Sequence, residues 1–345
     1  MKPVLAITMG DPAGIGAEVT VRALSHPELY ELCTPIVIGS AEALQDANQF
    51  TASGLRFREI ASPEEAEGIP GTLEYIDPAP LAPGVYAPGV LSAACGDAAF
   101  RYISLGIDLA KADRVAAVVT GPINKEALNL AGHHYDGHTE IFAKFTDTKN
   151  YAMLLASGSL RVIHVCTHVS LRQACDLVKK DRVLDTIHLA VRALRELGIE
   201  HGRVAVAGLN PHSSDNGLFG DEEANEIIPA IEAAKAEGIN VSGPIPPDSV
   251  FVRALGGEFD IVVAMYHDQG HIPLKLAGFR MDPKTGKFQS MSGINTTIGL
   301  PIIRTSVDHG TAFDRAGKGV AHEGSMIEAI EVAVQMARAK AAQGC

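Results

Sequence analysis

Short apolar runs that alternate with longer amphipathic stretches predict an α/β fold with a largely parallel sheet and helices on both faces. VLAITM leads into AEVTVRALSH, PIVIGS into AEALQDA, VAAVVTGP into INKEALNLA, and VAVAGLNP into ANEIIPAIEAAKAEG. The first member of each pair is short and β-branched, as strands are, and the second spaces its apolar residues as a helix does. At 345 residues the chain exceeds what one core usually serves, and a prior of roughly 150 residues per domain gives about two domains.

Along the chain, the first strand hands over to its helix through MGDPAGIGAE, where Gly10, Gly14 and Gly16 permit close backbone approach. Their spacing is not the dinucleotide fingerprint, and the second strand ends in Gly39 and Ser40 without a ribose-binding acid, which excludes a standard Rossmann site. Tight strand-to-helix packing explains the glycines as well as a ligand would. Residues 53–90 are rich in Pro, Gly and acids and read as irregular excursions or short edge strands. A helix is expected over Leu91–Ala110 and a closing helix over Glu323–Gln343. The stretch 278–293 contains turn signals and is expected to form a surface hairpin.

Hydrophobic residues make up 46% of the chain and charged residues 20%, ample for a core and unlike a disordered protein. The net charge of -12 disfavours nucleic acid and anionic membrane, which both need a basic patch. An anionic substrate would need cations gathered deliberately against that background. Five cysteines, odd in number and without a CxxC pair, argue against a disulfide framework and for a reducing cytoplasm. The first apolar stretch is too short for a signal peptide and no window reaches membrane-spanning length, so a cytoplasmic protein is expected.

Three strand-like runs end in histidine: IHVCTH at His168, VAVAGLNPH at His212 and IVVAMYH at His267. Parallel strands deliver their C-terminal ends to one crevice, where three imidazoles could converge as a metal site with one position open. Taken singly, each histidine is more often a hydrogen-bonded structural residue; together, beside small polar neighbours, they favour ligation. His271 competes with His267 at helical ligand spacing, but Gly270 and Pro273 argue against a regular helix there. His164 is expected inside the sheet packing.

Lys275 and Arg304 offer cations for an anion, Arg304 the better anchor because its guanidinium can donate two parallel hydrogen bonds. GHTE places His138 and Thr139 where a loop enters a helix, although Thr139 could merely cap that helix. Lys125 at a helix start hints at a nearby anion, and solvent exposure explains it almost as well. In DHGTAFDRAGKGVA, residues 308–321, glycines permit a loop that wraps a flat ligand, and Asp314 could accept from a hydroxyl or amino group.

These motifs, from GDPAGIG through TGPINK, GHTE, THVSLR, GLNPH and AMYHDQG to IIRTSVDHGTAF, resemble the 4-hydroxythreonine-4-phosphate dehydrogenase family of vitamin B6 biosynthesis over nearly the whole chain. The resemblance implies a two-lobed α/β/α subunit similar to isocitrate and isopropylmalate dehydrogenases. The lobes expected are 1–128 with 305–345, carrying the nucleotide loop, and 129–304, carrying the metal and substrate residues and the dimer interface. It further implies a homodimer whose active site the partner subunit completes. His168, His212 and His267 would bind a divalent metal, and His138, Thr139, Lys275, Asn295 and Arg304 the phosphorylated substrate. HGTAFDRAGKG also looks like the loop with which isopropylmalate dehydrogenases hold the adenosine of NAD, which assigns His309, Gly310 and Asp314 to NAD or NADP; Phe313 and Arg315 depart from that loop's proline and isoleucine.

The implied chemistry is oxidation of a hydroxyl to a β-keto acid with hydride passing to NAD, followed by loss of carbon dioxide, with the metal lowering the hydroxyl pKa and drawing electrons from the new carbonyl. Asp248 in PPDSVF is the candidate general base. Imidazole suits zinc, cobalt or nickel, and substrate oxygens admit magnesium or manganese. The segment between Lys275 and Asn295 is longer than in the pyridoxine-pathway enzyme. D-threonate or D-erythronate 4-phosphate is therefore the alternative substrate, and a cis-dihydrodiol a more distant one. From other classes, a metal-dependent phosphatase could use the same histidines but needs no dinucleotide loop, and a silent relative could bind metal and anion without turnover.

Overall fold

The computed structural model describes every residue except Met1, Asp282, residues 284–287, Ser292, Gly344 and Cys345. The chain forms two compact units, Met1–Lys149 with Leu300–Cys345, and Asn150–Gly299. The first unit thus includes His138, Thr139 and Arg304, which the boundaries expected at 128 and 305 set in the second lobe.

In the first unit, β1 (Val4–Thr8), α1 (Gly16–Leu24), α2 (Pro27–Leu32), β2 (Thr34–Ile38) and α3 (Ala41–Thr51) follow the βα alternation of the sequence. Of residues 53–90, expected as irregular excursions or short edge strands, β3 (Arg56–Glu59) lies at the edge whereas β4 (Thr72–Ile76) is paired on both sides, by β3 and β2, and α4 (Ala93–Lys111), β5 (Ala117–Thr120), α5 (Lys125–Leu130) and α6 (His138–Phe145) complete the N-terminal portion. Ser40, Ser92 and Asn124 start their helices by accepting the N–H of the residue three positions on.

The second unit begins with β6 (Ala152–Ser157) and β7 (Leu160–His164), then α7 (Leu171–Leu177), α8 (Lys180–Glu196) and β8 (Val204–Ala207). It continues through α9 (Ile228–Ala236), β9 (Val241–Ile245), α10 (Pro247–Leu255), β10 (Ile261–Ala264) and α11 (His267–Gly278). β11 (Phe279–Met281) pairs antiparallel with β12 (Phe288–Met291), the hairpin expected of 278–293, and β13 (Ile294–Ile298) follows. The chain then returns to the first unit as β14 (Arg304–Val307) and α12 (Gly324–Gln343), the closing helix.

The strands of the first unit run in the order β3-β4-β2-β1-β5-β14, all parallel. Leu5, Ala6, Ile7, Ile36, Val37 and Ile38 are fully buried, the unbroken burial of a parallel sheet covered on both faces. Gly106 of α4 lies against Thr8, Ile38 and Val118, whereas Thr305, in register with Val119, donates its hydroxyl to Ala329 of α12. Side chains alternate along a strand, so α4 and α12 cover opposite faces.

In the second unit the order is β13-β6-β7-β10-β8-β9, with β6 antiparallel to both neighbours and β7, β10, β8 and β9 parallel. Val183, Ile187, Ala190 and Leu194 of α8 recur at helical spacing and are buried. Val162, Ala205, Val250, Phe251, Val262 and Leu274 share one core. The parallel arrangement of β7, β10 and β8 sends the segments after them out from one edge of the sheet, and each of these segments bears one of the three histidines.

Gly270 and Pro273 do not interrupt α11, contrary to the sequence expectation. A Cβ at residue 270 would lie 2.3 Å from His164 Nε2 and 2.7 Å from Val162 Cγ1, so glycine is what lets the helix settle on β7. Among the described residues no helix is long and apolar enough to cross a membrane. Cys33, Cys95, Cys166 and Cys175 are free thiols.

Candidate active site

His168 lies beyond β7 and His267 is the first residue of α11, just past β10. Together with Thr167, Leu171, Tyr266 and Asp268 they line a cavity of about 310 Å³, their ring centres 5.9 Å apart. Two imidazoles that each reach a shared ion at about 2.0–2.1 Å have ring centres on the order of 5–6 Å apart, so this pair fits a divalent metal. His267 Nδ1 is 2.6 Å from Asp268 Oδ1, a carboxylate contact that leaves Nε2 as the ring's outward donor. His271 stacks on His267 at 3.6 Å and its Nδ1 meets the His267 carbonyl at 2.9 Å. His164 is buried as expected, and burial depresses its pKa to about 3.

His212 does not join them. Within one chain two of the three imidazoles share this cavity; among the described residues no group of three His, Cys, Asp or Glu is set to hold a metal. The reason is local backbone. His212, Ser213, Ser214, Asp215 and Asn216 all have positive φ, between 50° and 68°, a left-handed turn built without glycine. Each such residue costs on the order of 1–2 kcal/mol. The turn leaves the His212 imidazole 64% exposed, 3.7 Å from the Asp215 carboxylate and in edge contact with Phe219.

Sequence reasoning missed two buried residues that hold this region. Gln269 accepts from Met265 N–H at 2.7 Å and donates to the Gly208 carbonyl at 2.8 Å, linking the approach to His267 with the approach to His212. Glu223, 2% exposed, accepts from the N–H groups of Leu209 and Asn210. Glu223 sits in DEEANE, which in sequence looks like a solvated acidic run; only the close approach at Gly220, where a Cβ would meet Asn210 and Glu222 at 2.6 Å, marks it.

In the first unit, Arg304 on β14 is 2% exposed, with one guanidinium nitrogen donating to the Thr120 hydroxyl at 2.9 Å and the plane lying over the Phe142 ring at 5.7 Å. Burial lowers its pKa to about 9, so it stays charged at neutral pH. His138 opens α6 with Gly137 as N-cap, so Thr139 is not the cap. The His138 Nε2 atom is buried and makes no hydrogen bond. Burial, and secondarily the Arg304 charge, hold its pKa well below the usual imidazole value. A neutral imidazole, a buried guanidinium, Thr139 and the dipole at the start of α6 form a set of groups with the chemistry to hold an anion. Lys125, at the start of α5, is exposed.

The segment 308–323 is an irregular loop pinned to α1. The Ile15 N–H donates to the Thr311 carbonyl at 2.9 Å, the Gly317 N–H to the buried Glu18 carboxylate at 2.7 Å, and Arg22 pairs with Glu323 at 2.8 Å. Gly14 serves this packing, since a Cβ there would lie 2.9 Å from Thr311 Cβ; Gly16 instead lets α1 start against the end of β1, where a Cβ would lie 2.0 Å from the Met9 carbonyl oxygen. Asp314 is exposed, His309 Nδ1 lies 3.1 Å from the Gly310 carbonyl, and no atom outside its neighbours crowds Gly310. In the second unit, the Lys275 ammonium lies 4.4 Å from the Phe279 ring centre. The Asn295 amide donates to Met153 Sδ, and its Oδ1 is buried with no hydrogen bond. Asp248 is exposed in the first turn of α10.

Comparison with known proteins identifies the chain as a dehydrogenase. It belongs to the family described as Pyridoxal phosphate biosynthetic protein PdxA, whose match spans residues 31–333. It is 46% identical over 340 residues to a D-threonate 4-phosphate dehydrogenase of Cupriavidus necator, covering 98% of both chains. A D-threonate 4-phosphate dehydrogenase of Salmonella typhimurium is 46% identical over 337 residues, covering 96% of this chain and 98% of the relative. A 4-hydroxythreonine-4-phosphate dehydrogenase structure from Klebsiella pneumoniae aligns with TM-score 0.85 and 46% identity, covering 98% of both chains.

Proposed function

We propose that the protein carries out NAD-dependent, divalent-metal-dependent oxidation of a 4-phosphorylated hydroxy acid, with decarboxylation of the resulting β-keto acid. The observation that carries this reading is the cradle in the first unit, where buried Arg304 and the buried, hydrogen-bond-free Nε2 of His138 meet at a helix start. Arg304, His138 and Thr139 bind the phosphate, with Lys275 and Asn295 as further substrate contacts. His309, Gly310 and Asp314 would hold the dinucleotide, which would supply the hydride acceptor. A metal held by His168, His267 and His212 would supply Lewis acidity for oxidation and for loss of carbon dioxide. Asp248 is the candidate acceptor of the hydroxyl proton.

The protein acts, on this reading, as a cytoplasmic homodimer with an active site shared between subunits. Exposed Leu171, Leu218 and Phe219, 63%, 72% and 48% accessible, flank His168 and His212 and suit burial against a second copy. The His212 that one chain leaves at its surface would then serve the partner's site.

4-Hydroxythreonine 4-phosphate is the leading substrate. D-Threonate 4-phosphate is a second reading, favoured by the names of the 46% identical relatives. The test mixes purified protein with NAD or NADP, one divalent metal at a time, and a panel of both acids, D-erythronate 4-phosphate and a cis-dihydrodiol. Chelator-sensitive reduction of NAD with a phosphorylated acid supports the reading, and the ratio of kcat/KM values selects the acid. Phosphate release without NADH would make the protein a phosphatase, and no change in any mixture would make it a silent binder.

A further inference from the structure

We propose that Glu223 is a positioning residue whose carboxylate holds the left-handed turn 212–216 so that His212 is presented for metal binding. The inference rests on the assignment of His212 as a ligand under the proposed function.

Five consecutive non-glycine residues in the left-handed region do not persist unless their surroundings over-determine them. The restraint sits upstream of the turn. Glu223 Oε1 accepts the N–H of Leu209 at 2.8 Å and that of Asn210 at 2.7 Å, while its Oε2 accepts from Asn210 Nδ2 at 2.8 Å. The same Nδ2 also donates to Glu222 Oε2 at 2.7 Å. Asn210 is thereby fixed through both backbone and side chain, two residues before His212. Downstream, the Ser214 hydroxyl accepts the Gly217 N–H at 2.9 Å and closes the turn on itself.

Glu223 opens a single π-helical turn, Glu223–Ile227, just before α9. Such turns recur where a helix aims one side chain at a site instead of continuing its own register. The carboxylate is buried beneath the 208–210 segment, and Ile227 and Ile231 behind it are fully buried, so the anchor is rigid although its cargo is exposed. A fold-filling loop has no need of a buried carboxylate spent on two adjacent backbone amides and the side chain of one of them. A ligand that must meet an ion at defined distance and angle does.

The test compares Glu223→Gln and Glu222→Gln with wild type, using cobalt(II) titration of the metal-free full-length protein and amide hydrogen exchange over 209–217. Glu223→Gln is expected to weaken cobalt binding by about 10- to 100-fold, the usual effect of losing an outer-shell partner, and to speed exchange across 209–217. Glu222→Gln, which is only partly buried, should shift both in the same direction by less. It decides the matter if the Glu223 variant does not fold. Unchanged exchange in the variants overturns the proposal, as does faster exchange with cobalt affinity unchanged. If wild type itself takes up no cobalt, the metal assignment under the proposed function fails, and exchange alone then shows whether Glu223 holds the turn.

Discussion

Asp11→Asn should stabilise the protein, and the size of the gain should depend on pH. Asp11 follows β1 and is 1% exposed; its Oδ1 accepts the Ala13 N–H at 2.9 Å, while its Oδ2 is buried with no hydrogen bond. Burial, only partly offset by that backbone bond, raises its pKa from 3.8 to about 6. Because the folded value lies above the unfolded one, the native state binds the proton more tightly. Folding is then unpenalised below about pH 3.8, and stability is lost as pH rises from there through about 6. A shift of roughly two units corresponds to about 3 kcal/mol at pH 7.5, shrinking to about 1 kcal/mol at pH 4.5. Asparagine keeps the acceptor for Ala13 and has no charge to desolvate. With an unfolding entropy of about 2.1 cal/mol/K per residue, each kcal/mol shifts the midpoint of a chain of 345 residues by about 1.4 °C, so the variant should exceed wild type by about 4 °C near pH 7.5 and by a third of that near pH 4.5. Circular dichroism melts of both proteins at the two pH values make the measurement. A variant no more stable than wild type at neutral pH, or a gain that does not shrink in acid, would refute the account of Asp11 as a charge buried at a cost.

Arg304→Lys should remove the planar fork while keeping the charge, raising KM for a phosphorylated acid by roughly 10- to 150-fold, equivalent to about 1.5–3 kcal/mol; an equal rise for the unphosphorylated acid would contradict a phosphate role. His168→Ala should abolish tight uptake of one equivalent of cobalt or zinc, and chelation of wild type should remove turnover that added metal restores; undiminished uptake by the variant would unseat His168 as a ligand. Gly16→Ala places a Cβ 2.0 Å from the Met9 carbonyl oxygen and should cost more than about 3 kcal/mol in urea unfolding. Gly310→Ala, which meets no atom within 4 Å, should leave that midpoint in place while raising KM for NAD. A cofactor KM unchanged in this last variant would separate Gly310 from the dinucleotide.

Much of the architecture was legible because it rests on local pattern. The apolar runs at 4–8, 34–38, 117–120, 204–207 and 261–264 became buried sheet strands, and of residues 53–90 the polar run 56–59 became an edge strand while 72–76, with Leu73 and Tyr75 buried, was taken inside the sheet. Pro273 misled for the same reason that pattern usually works: proline's local cost is real, but packing of Gly270 on His164 and Val162 favours the helix over the break. Thr139 had capping chemistry, yet Gly137 is the cap, because the helix already begins at His138 and Thr139 lies inside its first turn.

Residue types, by contrast, are silent on mutual distance. From the sequence, His168, His212 and His267 were equivalent strand-end imidazoles, and Arg304 was an arginine in an apolar stretch. Their chemical identity and their place after parallel strands follow from composition and period alone, since those depend on neighbours within a few residues. That His168 and His267 share a cavity while His212 stands apart on a left-handed turn depends on backbone dihedrals and on contacts from distant positions, Glu223 and Gln269 among them. The burial that Arg304 and His138 share, on which the proposed phosphate cradle rests, is likewise tertiary. It comes from bringing residue 304 beside 120, 138 and 142, and no local signal encodes a meeting of segments so far apart along the chain.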